Sequence, residues 1–211
     1  MTDEAIYIAT SNAGKLRDFA AAAQPHSVRV LPLPGFSELP SVDEDGATFE
    51  ANACKKAEHY SRLFPAQLVL ADDSGLEVRA LGGAPGVHSA RFAADAAASG
   101  NASDAANNQK LLSELSGGGG KDRAARFVAV IAAAKDGKIL ATFSGQVEGS
   151  ITDDPRGSHG FGYDPLFVVE KTGKTMAELA AAEKAAISHR GRAFRRFLEW
   201  YRAERPTFAK L

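Results

Sequence analysis

The sequence predicts a mixed α/β fold, and three features of its patterning carry that expectation. Short apolar runs of strand length alternate with amphipathic helical segments through the N-terminal third. A long hairpin pattern occupies the middle, and helical stripes return at the C-terminal end. The order of these elements is not a strict strand–helix alternation, and no internal repeat is found, which excludes a purely parallel sheet and a solenoid. With 211 residues, the chain suits one domain, read as residues 1–211, with ample length for a sizeable core. Hydrophobic residues make up 45% and charged residues 24%, a composition that is neither disordered nor membranous. Alanine is nearly half of the hydrophobic fraction and is expected as helix filler, leaving the 12 phenylalanines with Leu, Ile and Val to carry the core.

Ile6-Tyr7-Ile8-Ala9 reads as the first strand, ending in the polar turn Thr10-Ser11-Asn12-Ala13-Gly14. A helix begins near Lys15, with Leu16, Phe19 and Ala23 at helical spacing. Residues 28–33 form a second strand, and Pro32, Pro34 and Pro40 punctuate the loop after it. Over residues 47–64 a helix shows Phe49, Ala53, Ala57, Tyr60 and Phe64 on its apolar face, with Glu50, Lys56 and Arg62 elsewhere. Residues 68–71 are a buried strand that ends at Asp72-Asp73-Ser74-Gly75, and a separate strand covers 76–81 before Gly82-Gly83-Ala84-Pro85-Gly86. A helix is expected over 103–115, followed by a four-glycine connection at 117–120. Strands 126–135 and 138–147 flank the Asp136-Gly137 turn signal. After a loop over 155–165 come a short strand at 166–169 and a helix at 175–186, capped by Thr175 with Glu178 three residues on. The last helix, which Ser188 can cap, is striped by Phe194, Phe197, Leu198 and Tyr201.

Lys and Arg number 25 against 26 Asp and Glu, a net charge of -1, which argues against a general polyanion binder while allowing a local phosphate site. The single cysteine, Cys54, excludes an internal disulfide and reads as a small apolar helix residue. The acidic start Met1-Thr2-Asp3-Glu4 precedes no apolar signal region, and the longest apolar run, 127–134, is far short of the ~20 residues of a membrane span. A cytoplasmic protein with no membrane contact is the expectation. The last helix carries Arg190, Arg192, Arg195, Arg196, Arg202 and Arg205, with Lys210 beyond, against Glu199 and Glu204. A nucleic-acid-binding face would explain this basic run, but no aromatic–basic interleaving accompanies it. A solvated helix face is preferred, with no stable nucleic-acid partner.

Three loops gather polar residues that a core does not need. Thr10-Ser11-Asn12-Ala13-Gly14-Lys15 lies between a strand and a helix start, where backbone N–H groups favour anions and Lys15 adds a full charge. It lacks the leading glycine and the Ser/Thr after Lys of a Walker A loop. Asp43-Glu44-Asp45 and Asp72-Asp73 bring adjacent carboxylates that repel unless a cation neutralises them, and hard oxygen ligands of this kind suit Mg²⁺. Gly157-Ser158-His159-Gly160-Phe161-Gly162-Tyr163-Asp164-Pro165 combines a freed backbone with aromatic faces for stacking. Near the C-terminus, Lys184 and Ser188-His189-Arg190 add hydrogen-bond donors.

Together these segments resemble the inosine triphosphate pyrophosphatase family. The residues that carry the likeness are Ile8 to Lys15; Thr48-Phe49-Glu50-Ala51-Asn52-Ala53 with Lys56-Ala57; Ala71 to Leu76; Leu81 to Arg91; Gly160 to Pro165; and Glu183 to Gly191. They run in order from about residue 6 to 200, nearly the whole chain. The resemblance implies an elongated mixed β-sheet flanked by helices, two lobes and a central active-site cleft. It implies Mg²⁺-dependent hydrolysis of ITP, dITP or XTP to the monophosphate and pyrophosphate, by a homodimer. By the same likeness Asp73 is the proton acceptor and a metal ligand, with Glu44 as the second ligand among the acidic candidates Asp43, Glu44 and Glu50. Thr10, Ser11, Asn12, Ala13, Gly14 and Lys15 would bind the triphosphate. Ser74, Phe161, Gly162, Tyr163, Asp164, Lys184, His189 and Arg190 would complete the nucleotide site. One departure is Ala51, where family members often carry a second glutamate after Glu50.

Cleavage between the α and β phosphates needs charge neutralisation and an aligned water more than a protein nucleophile. Lys15 and Lys184 would supply charge, and Asp73 would orient and deprotonate the water. Hypoxanthine and xanthine present an acceptor at C6 where adenine presents a donor. Arg190 offers donors only, so it would favour the 6-keto bases. A related pyrophosphatase selecting modified pyrimidines is the alternative reading.

Overall fold

The computed structural model describes residues 5–94, 100–117 and 122–208. Among these residues six strands and five α-helices follow one another: β1 (Ala5–Ile8), α1 (Ala13–Ala23), β2 (Arg29–Pro32), α2 (Phe49–Leu63), β3 (Val69–Val78), α3 (Asp104–Gly117), β4 (Ala124–Lys135), β5 (Lys138–Ile151), β6 (Phe167–Val169), α4 (Ala181–Ile187) and α5 (His189–Phe208). The strands form one mixed sheet in the order β2-β1-β3-β4-β5-β6. β1 pairs in parallel with β2, Ile6 opposite Val30, and with β3, Ile8 opposite Leu70. β5 pairs antiparallel with β6, Ser150 opposite Val168. Among the described residues no helix is long and apolar enough to cross a membrane.

The chain divides into two compact units: residues 1–73, 129–145 and 185–211 in the first, 74–128 and 146–184 in the second. The core of the first unit joins Ile6 and Ile8 of β1, Phe19 of α1, Leu70, Ala129, Ile131 and Ala133 of the sheet, and Phe194, Phe197 and Leu198 of α5. Phe19 and Phe194 meet edge to face with centroids 5.7 Å apart. A Cβ at Gly145 would collide with the His189 carbonyl and stand 2.6 Å from the Ala193 nitrogen, so only glycine lets α5 lie this close to β5. In the second unit Leu76, Val78, Leu111, Leu115, Phe127, Leu166 and Phe167 are buried, with the Phe127 and Phe167 rings 4.5 Å apart.

Local chemistry explains most boundaries. Asn12 caps α1 by accepting the Lys15 N–H at 3.0 Å, and Thr48 caps α2 by accepting that of Ala51 at 3.1 Å. Asp136 and Gly137 both take positive φ, 52° and 75°, the pair of left-handed residues that a two-residue hairpin requires.

Four expectations change. Residues 69–78 are one strand rather than two separated at Asp72-Asp73-Ser74-Gly75, because both carboxylates are matched by partners from helices and so do not break the sheet. Residues 79–81 form a 3₁₀ turn instead of extending that strand. The helix expected over 175–186 is split: the Thr175–Glu178 capping box closes a single 3₁₀ turn, and α4 begins afresh after Leu179-Ala180. Alanine is not confined to helices, since Ala129 and Ala132-Ala133-Ala134 of β4 are fully buried strand residues. Most of the four-glycine connection lies outside the described residues.

Candidate active site

Among the described residues of the first unit, four carboxylates and three cations gather around the Asp72-Asp73 step of β3. Strand alternation sends the two side chains to opposite faces. On one side, Lys15 Nζ stands 2.7 Å from Asp72 Oδ2, and Arg190, in the first turn of α5, approaches the same oxygen at 3.6 Å with Nε. Arg190 also places Nη1 3.0 Å from Asp18 Oδ2. On the other side, Asn52 and Lys56, one turn apart on α2, hold the two oxygens of Asp73: Nδ2 of Asn52 donates to Oδ2 at 3.1 Å and Lys56 Nζ to Oδ1 at 3.3 Å. Lys56 further donates to the Asp72 carbonyl at 2.9 Å and pairs with Glu44 at 3.0 Å. Asn52 in turn accepts the Gly46 N–H at 2.8 Å, which fixes the end of the acidic loop that carries Glu44.

These neighbours drive the adjacent carboxylates apart in acidity. Burial opposes ionisation of Asp72, but Lys15 and Arg190 overcome it and hold the group well below the usual carboxylate range. Burial pushes Asp73 up to about 6 against the pull of Lys56 and Lys15, and the charges of Glu44 and Asp72 add to the rise. Burial also works against the Lys56 ammonium, yet Asp73, Glu44 and Asp72 keep its pKa above the ordinary lysine value. Lys15 moves the other way: burial lowers it, and Lys56 and Arg190 reinforce the shift against Asp72. Asp72 is thus a fixed anion, while Asp73 is a carboxylate basic enough to take a proton near neutrality.

Of the acidic candidates, the structure brings Glu44 to Asp73. Asp43 is exposed, and Glu50 accepts a hydrogen bond from Thr142 at 2.8 Å. Glu44 and Asp73 meet on one ammonium and stand close enough to interact directly, two hard oxygen donors side by side. Among the described residues no group of three or more His, Cys, Asp or Glu is arranged to hold a metal alone. Two carboxylates, with phosphates and water completing the shell, is the usual way Mg²⁺ is held.

The second unit carries a smaller constellation. Asp164 is buried and its Oδ2 takes Lys184 Nζ at 2.7 Å and the Phe161 N–H at 2.9 Å. The same ammonium lies 5.2 Å from the centroid of the Phe161 ring. Gly160 is required here, since a Cβ would strike the Asp164 carboxylate and its φ is +81°. Tyr163 is buried with its hydroxyl donating to the Ser89 carbonyl at 2.8 Å. Ser74 is half-buried on β3 in this unit.

The remaining expected residues fall in the first unit. Thr10 is half-buried and Ser11, Asn12 and Ala13 are exposed, with Thr10 Oγ1 and Asn12 Oδ1 engaged in the turn that starts α1; Gly14 is buried in its first turn. His189 is buried at the start of α5, and Arg190 is grouped with Lys15 and Asp72. The sequence puts Lys56 off the buried face of α2, whereas it is only 8% exposed, and gives no role to Asn52 or Asp18. The signal was present: Phe49, Asn52, Ala53, Lys56, Ala57 and Tyr60 form one helical stripe, and an asparagine and a lysine within such a stripe need buried partners. The basic α5 also gains a local use: Arg195 caps the carbonyls of Ala185 and Ala186 at the end of α4, and Arg196 bonds the Ser144 carbonyl.

Residues 6–200 match the model of the Ham1 family. A protein of Acidobacterium capsulatum named dITP/XTP pyrophosphatase is 51% identical over 193 residues, spanning 90% of this chain and 94% of that protein. One of Syntrophobacter fumaroxidans with the same name is 50% identical, spanning 94% and 85%. The solved structure of the Staphylococcus aureus Ham1 protein superposes with a TM-score of 0.78 at 40% identity, over 95% of this chain and all of that one. A family match over nearly the whole length, with relatives at half identity, leaves one assignment: the chain belongs to the Ham1 family.

Proposed function

We propose that this chain is a nucleoside triphosphate pyrophosphatase that hydrolyses ITP, dITP and XTP to the monophosphate and pyrophosphate with Mg²⁺, removing non-standard purine nucleotides before they enter DNA or RNA. The observation that carries this reading is the charge arrangement at Asp72-Asp73: three cations stand against four carboxylates, with Asp73 and Glu44 sharing one lysine. The names of the relatives, dITP/XTP pyrophosphatase, support the substrate class.

In this reading the segment leading into α1, residues 10–15 with Lys15, binds the triphosphate, and Arg190 adds charge beside it. Asp73 orients the attacking water and takes its proton, with Lys56 and Asn52 holding the carboxylate in place. Glu44 and Asp73 would hold the Mg²⁺, which when bound supplies charge neutralisation at the phosphate oxygens. Phe161, Gly162, Tyr163, Asp164 and Lys184 engage the purine base, with Ser74 and His189 completing the nucleotide site. The whole chain then acts as one functional domain, a homodimer in the cytoplasm. A lone free cysteine suits that compartment.

The deciding experiment is an assay on dITP with and without Mg²⁺ that separates pyrophosphate from orthophosphate. Metal-dependent pyrophosphate release from dITP and XTP, well above that from ATP, is expected. Orthophosphate as the first product, or equal turnover of dATP and dITP, would refute the reading. Sedimentation of the purified protein tests the dimer.

A further inference from the structure

The loop that carries Phe161 and Asp164 has no regular secondary structure, yet one helix grips its backbone. Asp104 Oδ2 accepts the Gly162 N–H at 2.7 Å, and Asn108 Nδ2 donates to the Gly162 carbonyl at 3.1 Å. Asp104 and Asn108 stand four residues apart on α3, so one helix face holds both polar atoms of one loop residue. Gly162 has φ +61° with open space where a Cβ would stand, so its glycine answers a backbone conformation rather than a lack of room.

The same helical turn reaches further. Asn107 accepts the Ala93 N–H at 2.8 Å and donates to the Ala90 carbonyl at 3.2 Å, anchoring the segment after Pro85. That segment contains Ser89, whose carbonyl takes the Tyr163 hydroxyl and whose Oγ accepts the Leu76 N–H at 2.9 Å. The first turns of α3 therefore fix residues 162 and 163 by two independent routes, one direct and one through Ser89.

We propose that Asp104 and Asn108 are positioning residues for base recognition: by clamping Gly162 they set the Phe161 ring and the Asp164–Lys184 pair that receive the purine. The inference rests on the reading of the 161–164 loop as the base-binding element. Phe161 and Asp164 flank the clamped residue and are joined to each other by the Phe161 N–H bond, so a shift at Gly162 is passed to both. Neither Asp104 nor Asn108 touches the base in this reading. Their contribution is preorganisation, which lowers the ordering that substrate binding must otherwise bring about.

The test compares KM and kcat for dITP in Asp104→Ala, Asp104→Asn, Asn108→Asp and Phe161→Ala, with the Gly162 amide followed by NMR in nucleotide-free protein. Loss of one charge-assisted hydrogen bond predicts a KM raised about tenfold in Asp104→Ala, with kcat held within about twofold. Asp104→Asn keeps an acceptor oxygen and is expected to restore most of the affinity. Asn108→Asp sets a carboxylate against the Gly162 carbonyl and is expected to raise KM as well, so it carries the test from the other side if Asp104→Ala folds poorly. The Gly162 amide proton should shift in Asp104→Ala before any nucleotide is added. An unchanged KM in both clamp variants while Phe161→Ala raises it overturns the clamp alone. An unchanged KM in Phe161→Ala refutes the loop as the base-binding element. Equal losses in Asp104→Ala and Asp104→Asn would reduce Asp104 to a structural residue and also overturn the proposal.

Discussion

The two polar constellations differ in how their charges are balanced. Around Asp72-Asp73, each of the three cations serves more than one oxygen, most partners stand on regular elements, and carboxylates exceed cations by one. Around Asp164, one buried carboxylate meets one buried ammonium, with an aromatic ring and a backbone N–H completing the arrangement on a loop and the short helix α4. The first arrangement retains a carboxylate whose proton can come and go. In the second, one carboxylate and one ammonium offset each other. A surplus charge in a buried cluster costs stability, so its retention points to chemistry, whereas a balanced pair needs only a structural or orienting reason.

Substituting Asn for Asp at each place is the sharpest way to break this contrast. Asp73→Asn is expected to lower turnover about 10²–10⁴-fold, the usual worth of a positioned general base. It removes the surplus carboxylate, so the melting temperature should stay level or rise. Asp164→Asn breaks a buried pair from one side, a change that typically costs about 3–5 kcal/mol of stability. Thermal melts beside steady-state kinetics read both. A large loss of stability in Asp73→Asn, or none in Asp164→Asn, would erase the distinction.

How far this contrast was legible in the sequence depends on the range of each signal. The hairpin turn Asp136-Gly137 and the stripe of α5 are local, and the structure reproduces them. Asp72-Asp73 misled because adjacent acids at the end of an apolar run look like a strand terminus. Partners contributed from residues 15, 52, 56 and 190 make a continuous strand tolerable, and that pairing is tertiary. Lys56 was misplaced for the same reason: a charged residue is assigned to the solvent face unless its partner is known. The break between Thr175 and α4 was hidden because a capping box reads the same before one turn as before many. The clamp on Gly162 spans 58 residues from Asp104, beyond any local pattern.

Arg190 tests where base selection resides. Sequence reasoning assigned it to the C6 oxygen, but the structure places it among Asp18, Asp72 and Lys15. Arg190→Lys keeps the charge and loses the planar fork that reaches two carboxylates at once. Turnover should fall by about tenfold, the worth of one charge-assisted hydrogen bond, and equally for dITP, XTP and ATP. Phe161→Ala, by contrast, should narrow the preference for dITP over dATP. A loss confined to the 6-keto substrates in Arg190→Lys would return base reading to the first constellation.

The pH dependence of stability sets the two neighbouring aspartates against each other in metal-free protein. Asp72 is held below its unfolded pKa of about 3.9, so the stability it contributes is full above that value and is lost as pH falls toward its folded pKa. Asp73 is raised to about 6, so between about pH 4 and 6 the folded chain binds the extra proton and stability declines as pH rises. Urea midpoints measured with a chelator across this range should therefore show an acid limb from Asp72 and an opposite slope from Asp73. Asp73→Asn should flatten the stretch from about pH 4 to 6 and leave the acid limb, whereas Asp72→Asn should remove the acid limb and, by taking away one of the charges that raise Asp73, shorten that stretch. If Asp73→Asn leaves the slope unchanged, burial and the Glu44 and Asp72 charges do not raise this carboxylate, and the surplus charge that separates the two constellations is spread over other groups.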